Sequence, residues 1–215
     1  MDNFGIYMII SNPVMSYERI AEICVEEEIT KLQLREKNIS DRQLISIGRR
    51  IIRITEGTKT NLIINDRPDI AYILNADGLH LGQQDLPLEI IQRDNILHRT
   101  SQQNRYIMGL STHSLSQLRS ALAFQLDYLA FGPIYATPTK EKPDPTVGTE
   151  LLSKAVKLAN VPLVAIGGID DKNIDKVLKT GVQNVALVRY FMQSSNLKEK
   201  IKIIKNKIQS YMEEK

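Results

Sequence analysis

Short apolar, β-branched runs recur along the chain: GIYMIIS (5–11), KLQLRE (31–36), NLIIND (61–66), GLHLG (78–82), YIMGLS (106–111), YLAFGP (128–133), VPLVAIGG (161–168) and NVALVRYF (184–191). Between them apolar residues return every three or four positions, in SYERIAEICVEEE, DRQLISIGRRIIRI, DIAYILNA, LEIIQR, SLSQLRSALAF, ELLSKAVKLA and NIDKVLKTG, and again in the C-terminal NLKEKIKIIKNKIQSYMEEK. The first kind of run predicts strands and the second predicts amphipathic helices. Strand followed by helix, eight times over, is the pattern of parallel βαβ units. Eight units favour a closed (β/α)8 TIM barrel over an open doubly wound sheet, and no GxGxxG follows the first strand to suggest a dinucleotide fold. No linker, low-complexity tract or break in composition interrupts the rhythm, so residues 1–215 are expected to form a single TIM-barrel domain. The chain is short for that fold, in keeping with its brief third and fourth helices.

Composition narrows the function classes. Hydrophobic residues make up 42% and charged residues 25%, the balance of a soluble globular protein. A net charge of +3 is too small and too scattered to point to nucleic acid. Lysines thicken in the last segment, but Ile201, Ile203, Ile204 and Ile208 recur there at helical spacing. It reads as a packing helix with a solvated basic face rather than a membrane or RNA contact. The single cysteine, Cys24, lies in an apolar helical pattern and excludes a disulfide framework. With no signal-like start and no apolar run of transmembrane length, the chain reads as cytoplasmic, without membrane or nucleic-acid partners.

Candidate chemistry follows from the barrel. Active sites of this fold sit at the C-terminal ends of the strands. The polar residues there are Gln33, Arg35 and Lys37 after the second strand, Asn65 and Asp66 after the third, and His80, Gln83 and Asp85 at the fourth. The fifth brings Ser111 and His113, the sixth Thr137, Thr139 and Lys140, the seventh Gly167 and Gly168, and the eighth Arg189. Asp66 and Asp85 on neighbouring strands suit Mg²⁺, which takes few carboxylates and keeps places for substrate phosphates. Arg35, Lys37 and Lys140 converge as clamping a polyphosphate requires. The diglycine before the eighth strand suits a second phosphate, because barrels often bind phosphate beside the loops after strands seven and eight. Each residue also has a plainer role open to it. Asp66 and Asp85 precede helix starts and could cap them; His80 could be a satisfied structural group, and His113 could only orient its loop.

Over nearly its whole length the chain resembles the thiamine phosphate synthase family, through LQLREK, NLIINDRPDIAYILNADGLHLGQQD, GLSTHS, LAFGPIYATPTK and VAIGGI. The resemblance implies a Mg²⁺-dependent transferase. It would join 4-amino-2-methyl-5-hydroxymethylpyrimidine diphosphate to a thiazole phosphate and release pyrophosphate. It implies that Gln33, Arg35 and Lys37 hold the pyrimidine diphosphate with Asn65, Ser111 and Lys140. Of these, Arg35, Lys37, Ser111 and Lys140 would be the catalytic groups. Asp66 and Asp85 would bind the metal, while Thr137, Thr139, Gly168, Val188 and Arg189 would receive the thiazole phosphate. The family mechanism is dissociative, so stabilising the departing pyrophosphate is the main task.

Two positions depart from the family pattern. Val188-Arg189 stands where a small hydroxyl residue usually ends strand eight, and strand one lacks the aspartate often found at its end. The sister family of thiazole tautomerases and a phosphate-binding barrel without turnover are the alternatives. Self-association into a homo-oligomer is left open.

Overall fold

The structure is a computed structural model that describes residues 3–93, 106–137 and 144–213. Its strands are β1 (Tyr7–Ile10), β2 (Lys31–Leu34), β3 (Asn61–Asn65), β4 (Gly78–Leu81), β5 (Ile107–Thr112), β6 (Tyr128–Phe131), β7 (Leu163–Ile166) and β8 (Asn184–Ala186). Each pairs in parallel with the next, in sequence order. An isolated parallel bridge between Ile6 and Val185, with Val185 N–H donating to Gly5 O at 2.8 Å, joins the last strand to the first. The expected (β/α)8 barrel is the fold. Its helices are α1 (Tyr17–Glu26), α2 (Asp41–Thr55), α3 (Pro68–Leu74), α4 (Leu88–Arg93), α5 (Leu115–Ala121), α6 (Gly148–Leu158), α7 (Ile174–Leu178), α8 (Val188–Met192) and α9 (Leu197–Glu213). Among the described residues no helix is long and apolar enough to cross a membrane.

Local chemistry sets the helix starts. Ser16, Ser40 and Ser114 each accept a backbone N–H of the first turn, and Ser40 forms a reciprocal capping box with Gln43. Such caps contribute about 1 kcal/mol each. α3 instead begins with Pro68 at its first position, where a missing N–H costs nothing.

Strand alternation sorts the apolar residues into two cores. Leu32, Leu34, Leu62, Ile64 and Leu79 point outward into the layer under the helices, with Leu44, Ile47 and Ile51 of α2 and Ile201, Ile204 and Ile208 of α9. A smaller cluster of Tyr7, Ile9, Ile63, Tyr128, Ala130, Val164 and Ala186 fills the barrel interior. Fully burying one such aliphatic side chain stabilises by about 1.5–3 kcal/mol. The C-terminal helix thus packs as its periodicity predicts, and Cys24 is a buried free thiol.

Strand eight is corrected. NVALVRYF is not one strand: β8 ends at Ala186, its last residue paired with β7, and Val188–Met192 is the helix α8. Beyond Ala186 the neighbouring strand gives way to a loop, so the backbone has no ladder to continue and closes hydrogen bonds within itself. Val188 and Arg189 therefore open a helix rather than end a strand. LQLREK is likewise shorter as a strand, ending at Leu34, though Arg35 N–H still donates to Ile10 O at 2.9 Å.

Candidate active site

A cavity of about 790 Å³ opens among the C-terminal strand ends. Gln33, Arg35, Asn65, His80, Ser111, His113, Thr137, Gly167, Gly168, Val188 and Arg189 all line it. Lys37, Asp66 and Asp85 are outside that lining and meet one another at the rim. Gln83 is exposed and donates to the Ser111 carbonyl at 2.7 Å. Thr139 and Lys140 lie outside the described residues.

The rim is an ionic cluster. Lys37 Nζ is 3.1 Å from Asp66 Oδ2, and the Asp66 and Asp85 carboxyl groups are hydrogen-bonded to each other. Burial works to raise Asp66, but the bond from Asp85 and the cations Lys37 and Arg35 outweigh it, so Asp66 titrates below the ordinary carboxylate range. Burial and the Asp66 charge push Asp85 up to about 6. Two carboxyl groups this close cannot both ionise cheaply, so Asp85 holds its proton to a higher pH than an ordinary aspartate. Asp66 does not cap a helix: it has φ +62°, and the position before α3 is Arg67, which makes no side-chain cap. A non-glycine residue held in the left-handed region is uncommon, and such residues collect at functional sites. Asp85 Oδ2 accepts the Gly82 N–H at 2.5 Å, closing a tight turn at the end of β4.

Beside the rim, the half-buried Arg35 donates to Ser11 Oγ at 3.3 Å and faces the cavity. Glu36 turns away, accepting Asn12 N–H at 2.7 Å and the Tyr17 hydroxyl at 3.0 Å. It ties the loop after β1 to the loop after β2, and burial together with its charge lifts the Tyr17 phenol to about 12.

Across the cavity the diglycine has φ +101° at Gly167 and φ +64° at Gly168. A Cβ on Gly168 would fall 2.7 Å from Ala136 O, and one on Gly167 would fall 2.4 Å from Pro133 Cβ. Only bare backbone lets the loop after β6 pack here, with Tyr135 N–H donating to Gly167 O at 3.0 Å. Val188 is half-buried and Arg189 exposed on the first turn of α8, both beside the diglycine in the lining.

Both described histidines of the site are engaged. His113 donates from Nδ1 to Gly132 O at 2.6 Å and turns Nε2 to Asp144, 3.5 Å away. His80 Nδ1 meets the Tyr128 hydroxyl at 3.0 Å and its Nε2 meets Ser111 Oγ at 2.8 Å. Tyr128 continues to Tyr7 at 2.5 Å, and Tyr7 accepts from Gln33 Nε2 at 2.7 Å. Sequence reading missed Tyr7 and Tyr128. The available signal was a hydroxyl-bearing ring at the start of each of two apolar strands. It also missed Tyr190, whose buried hydroxyl has no hydrogen-bond partner among the described residues, and Lys200, whose ammonium sits 4.3 Å over the Tyr190 ring. Both line the cavity by the diglycine.

A closed parallel barrel with an acidic–basic rim and a diglycine turn, both facing one cavity at the C-terminal strand ends, defines a (β/α)8 protein with a small-molecule site. The comparisons with known proteins narrow this. The family described as thiamine monophosphate synthase matches residues 6–191, and the chain belongs to that family. The thiamine-phosphate synthase of Dictyoglomus thermophilum is 37% identical over 180 residues, covering 84% of this chain and 78% of that protein. That of Clostridium novyi is 33% identical over 208 residues, covering 95% and 98%. Among solved structures, thiamine phosphate pyrophosphorylase from Pyrococcus furiosus superposes with a TM-score of 0.82 at 28% identity, covering 97% of each chain.

Proposed function

We propose that the chain is a thiamine-phosphate synthase, transferring a pyrimidine-methyl group from its diphosphate to the ring nitrogen of a thiazole phosphate and releasing pyrophosphate. The observation that carries this reading is the pairing of two anion sites across one cavity. Arg35 and Lys37 stand with the Asp66–Asp85 pair on one side, and the diglycine lies on the other.

Gln33, Asn65 and Ser111 would hold the pyrimidine diphosphate, with Arg35, Lys37 and Lys140 on its phosphate oxygens. The carbon–oxygen bond breaks with its electron pair leaving on pyrophosphate, and the thiazole nitrogen lone pair forms the new carbon–nitrogen bond. Fixed cations at the leaving oxygens lower that barrier, because they need no reorganisation as charge develops. Apolar walls from Ile9, Ala130 and Ile166 limit water at the electrophilic carbon. Gly168 backbone, Thr137, Thr139, Val188 and Arg189 would receive the acceptor phosphate, and Tyr190 and Lys200 add donors at that end.

Asp66 and Asp85 fit a divalent ion, Mg²⁺ by the hardness of the donors. Asp85 is raised by burial and by repulsion from Asp66, which a cation would relieve, and two carboxylates leave coordination places for phosphate oxygens. Among the described residues no group of three or more His, Cys, Asp or Glu is clustered for a metal, so Asp66 and Asp85 would hold the ion together with substrate oxygens and water. When bound, the ion offsets the charge that grows on the departing pyrophosphate.

A histidine-driven isomerisation is disfavoured for His80, which is buried with both ring nitrogens hydrogen-bonded to protein hydroxyls. Pyrophosphate release from the pyrimidine diphosphate, measured with and without thiazole phosphate at saturating Mg²⁺, tests the proposal. Release coupled one-to-one to thiamine phosphate is expected; no release with both substrates present refutes it.

A further inference from the structure

We infer that Tyr7, Tyr128 and His80 form a one-way hydrogen-bond chain under the cavity, which sets Gln33 as an acceptor and Ser111 as a donor toward the bound pyrimidine diphosphate. The ligand named rests on the synthase reading; the direction of the chain does not.

Counting hydrogens gives the direction. The Gln33 side-chain nitrogen only donates, and its partner is the Tyr7 hydroxyl at 2.7 Å. Tyr7 is 1% exposed, and its hydroxyl's other partner among the described residues is the Tyr128 hydroxyl at 2.5 Å. The Tyr7 hydrogen must therefore go to the Tyr128 oxygen, since the amide nitrogen cannot accept it. Tyr128, fully buried, then has its own hydrogen directed at His80 Nδ1, 3.0 Å away. That nitrogen must be the bare one, so the ring proton sits on Nε2 and is donated to Ser111 Oγ at 2.8 Å. The Ser111 hydroxyl hydrogen is the end of the chain, at the cavity wall.

The reverse direction fails at one atom. Were Nδ1 protonated and Tyr128 donating to Tyr7, the Tyr7 hydrogen would meet the Gln33 amide nitrogen, which cannot accept it, so that direction requires the Gln33 amide to be turned over. Burial raises both phenols far above their ordinary range, so each keeps its proton as a donor. At the far end, the Gln33 nitrogen is committed to Tyr7, which leaves its amide oxygen for the ligand. Gln33 is itself 1% exposed yet lines the cavity. An aminopyrimidine offers hydrogens to that oxygen, and the diphosphate offers acceptors to Ser111. Without the chain, Gln33 could flip its amide and Ser111 could rotate into an acceptor, both wrong for this ligand. Tyr7, Tyr128 and His80 are thus positioning residues.

The test begins with the unaltered protein. Long-range ¹H–¹⁵N spectra of ¹⁵N-histidine-labelled chain, with the His80 signals assigned through their loss in His80→Asn, read which ring nitrogen carries hydrogen. The expected result is the Nε2–H tautomer. Tyr128→Phe removes the donor to Nδ1 and should give a tautomer mixture. Tyr7→Phe and Tyr128→Phe should each lower kcat/KM for the pyrimidine diphosphate by about tenfold, with KM for thiazole phosphate held within about twofold. An Nδ1–H tautomer in the unaltered protein overturns the inference. So do kinetics that stay unchanged in both phenylalanine variants. Should the unaltered protein make no thiamine phosphate, the synthase reading falls, and the tautomer alone judges the chain.

Discussion

Removing one charge from the rim should make the protein more stable while abolishing its activity. Asp85 and Asp66 are hydrogen-bonded carboxyl groups, and Asp85 is raised from the ordinary 3.8 to about 6 by burial first and by Asp66 second. A raised carboxyl makes the folded state bind protons more tightly than the unfolded chain. Stability is therefore lost as pH rises from about 4 to about 6 and stays lost above that. Taken in full, a rise of this size corresponds to about 3 kcal/mol. The pair lies at the solvent-facing rim, where screening reduces the figure to about 1–2 kcal/mol. Asp66, held low, keeps its charge in the folded state and adds an opposite slope only at the acid end of this window, where the unfolded aspartate takes up its proton. Asp85→Asn mimics the protonated acid: its amide oxygen can still accept Gly82 N–H and its amide nitrogen can donate to Asp66. In chelator at pH 8 the variant should gain about 1–2 kcal/mol, or several degrees of Tm for a chain of this size. At pH 4.5 the gain should vanish. Saturating Mg²⁺ should stabilise the parent but not the variant, and the variant should lose turnover. Urea unfolding at the two pH values, with chelator or Mg²⁺, measures all of this. A variant equally or less stable than its parent at pH 8, with no pH dependence in the difference, would falsify the account of Asp85 as raised by burial and Asp66.

The remaining predictions concern the two anion sites. Arg35→Ala and Lys37→Ala should each weaken pyrimidine diphosphate binding about tenfold or more, since a hydrogen bond to a charged group contributes about 1.5–3 kcal/mol, and steady-state kinetics at varied diphosphate checks it. Glu36→Gln should leave diphosphate KM within about twofold while lowering Tm slightly, because Glu36 ties two loops together rather than facing the cavity. Gly168→Ala should raise acceptor KM and cost about 1–2 kcal/mol of stability, since φ +64° is strained for a side chain and its Cβ meets Ala136 O at 2.7 Å. Arg189→Ser should weaken acceptor affinity with little change in stability, the side chain being exposed; a gain of turnover instead would mean that Arg189 obstructs the acceptor.

The alternation of strands and helices, the eight strands, and the rim at their C-terminal ends were legible in the sequence; the short helix α8 was not. Each rests on short-range physics: period two for Leu32 and Leu34, period 3.6 for Ile201, Ile204 and Ile208, and Ser40 opening a helix by its own hydrogen bonds. Parallel pairing then puts the C-terminal end of every strand on one side, so Arg35, Asn65, Ser111 and Gly168 had to share a rim. What the sequence could not decide depended on neighbours distant along the chain. The run through Val188 and Arg189 has strand-like composition, and only the lack of a partner strand beyond Ala186 turns it into a helix. Asp66 and Asp85 could each have capped a helix; burial raises Asp85, and Asp66 raises it further because β3 and β4 lie side by side. The line from Gln33 to Ser111 joins five strands through residues up to 121 positions apart, so no local pattern encodes it. Barrel closure buries Tyr7, Gln33, His80 and Tyr128 together, and there each hydrogen must find an acceptor.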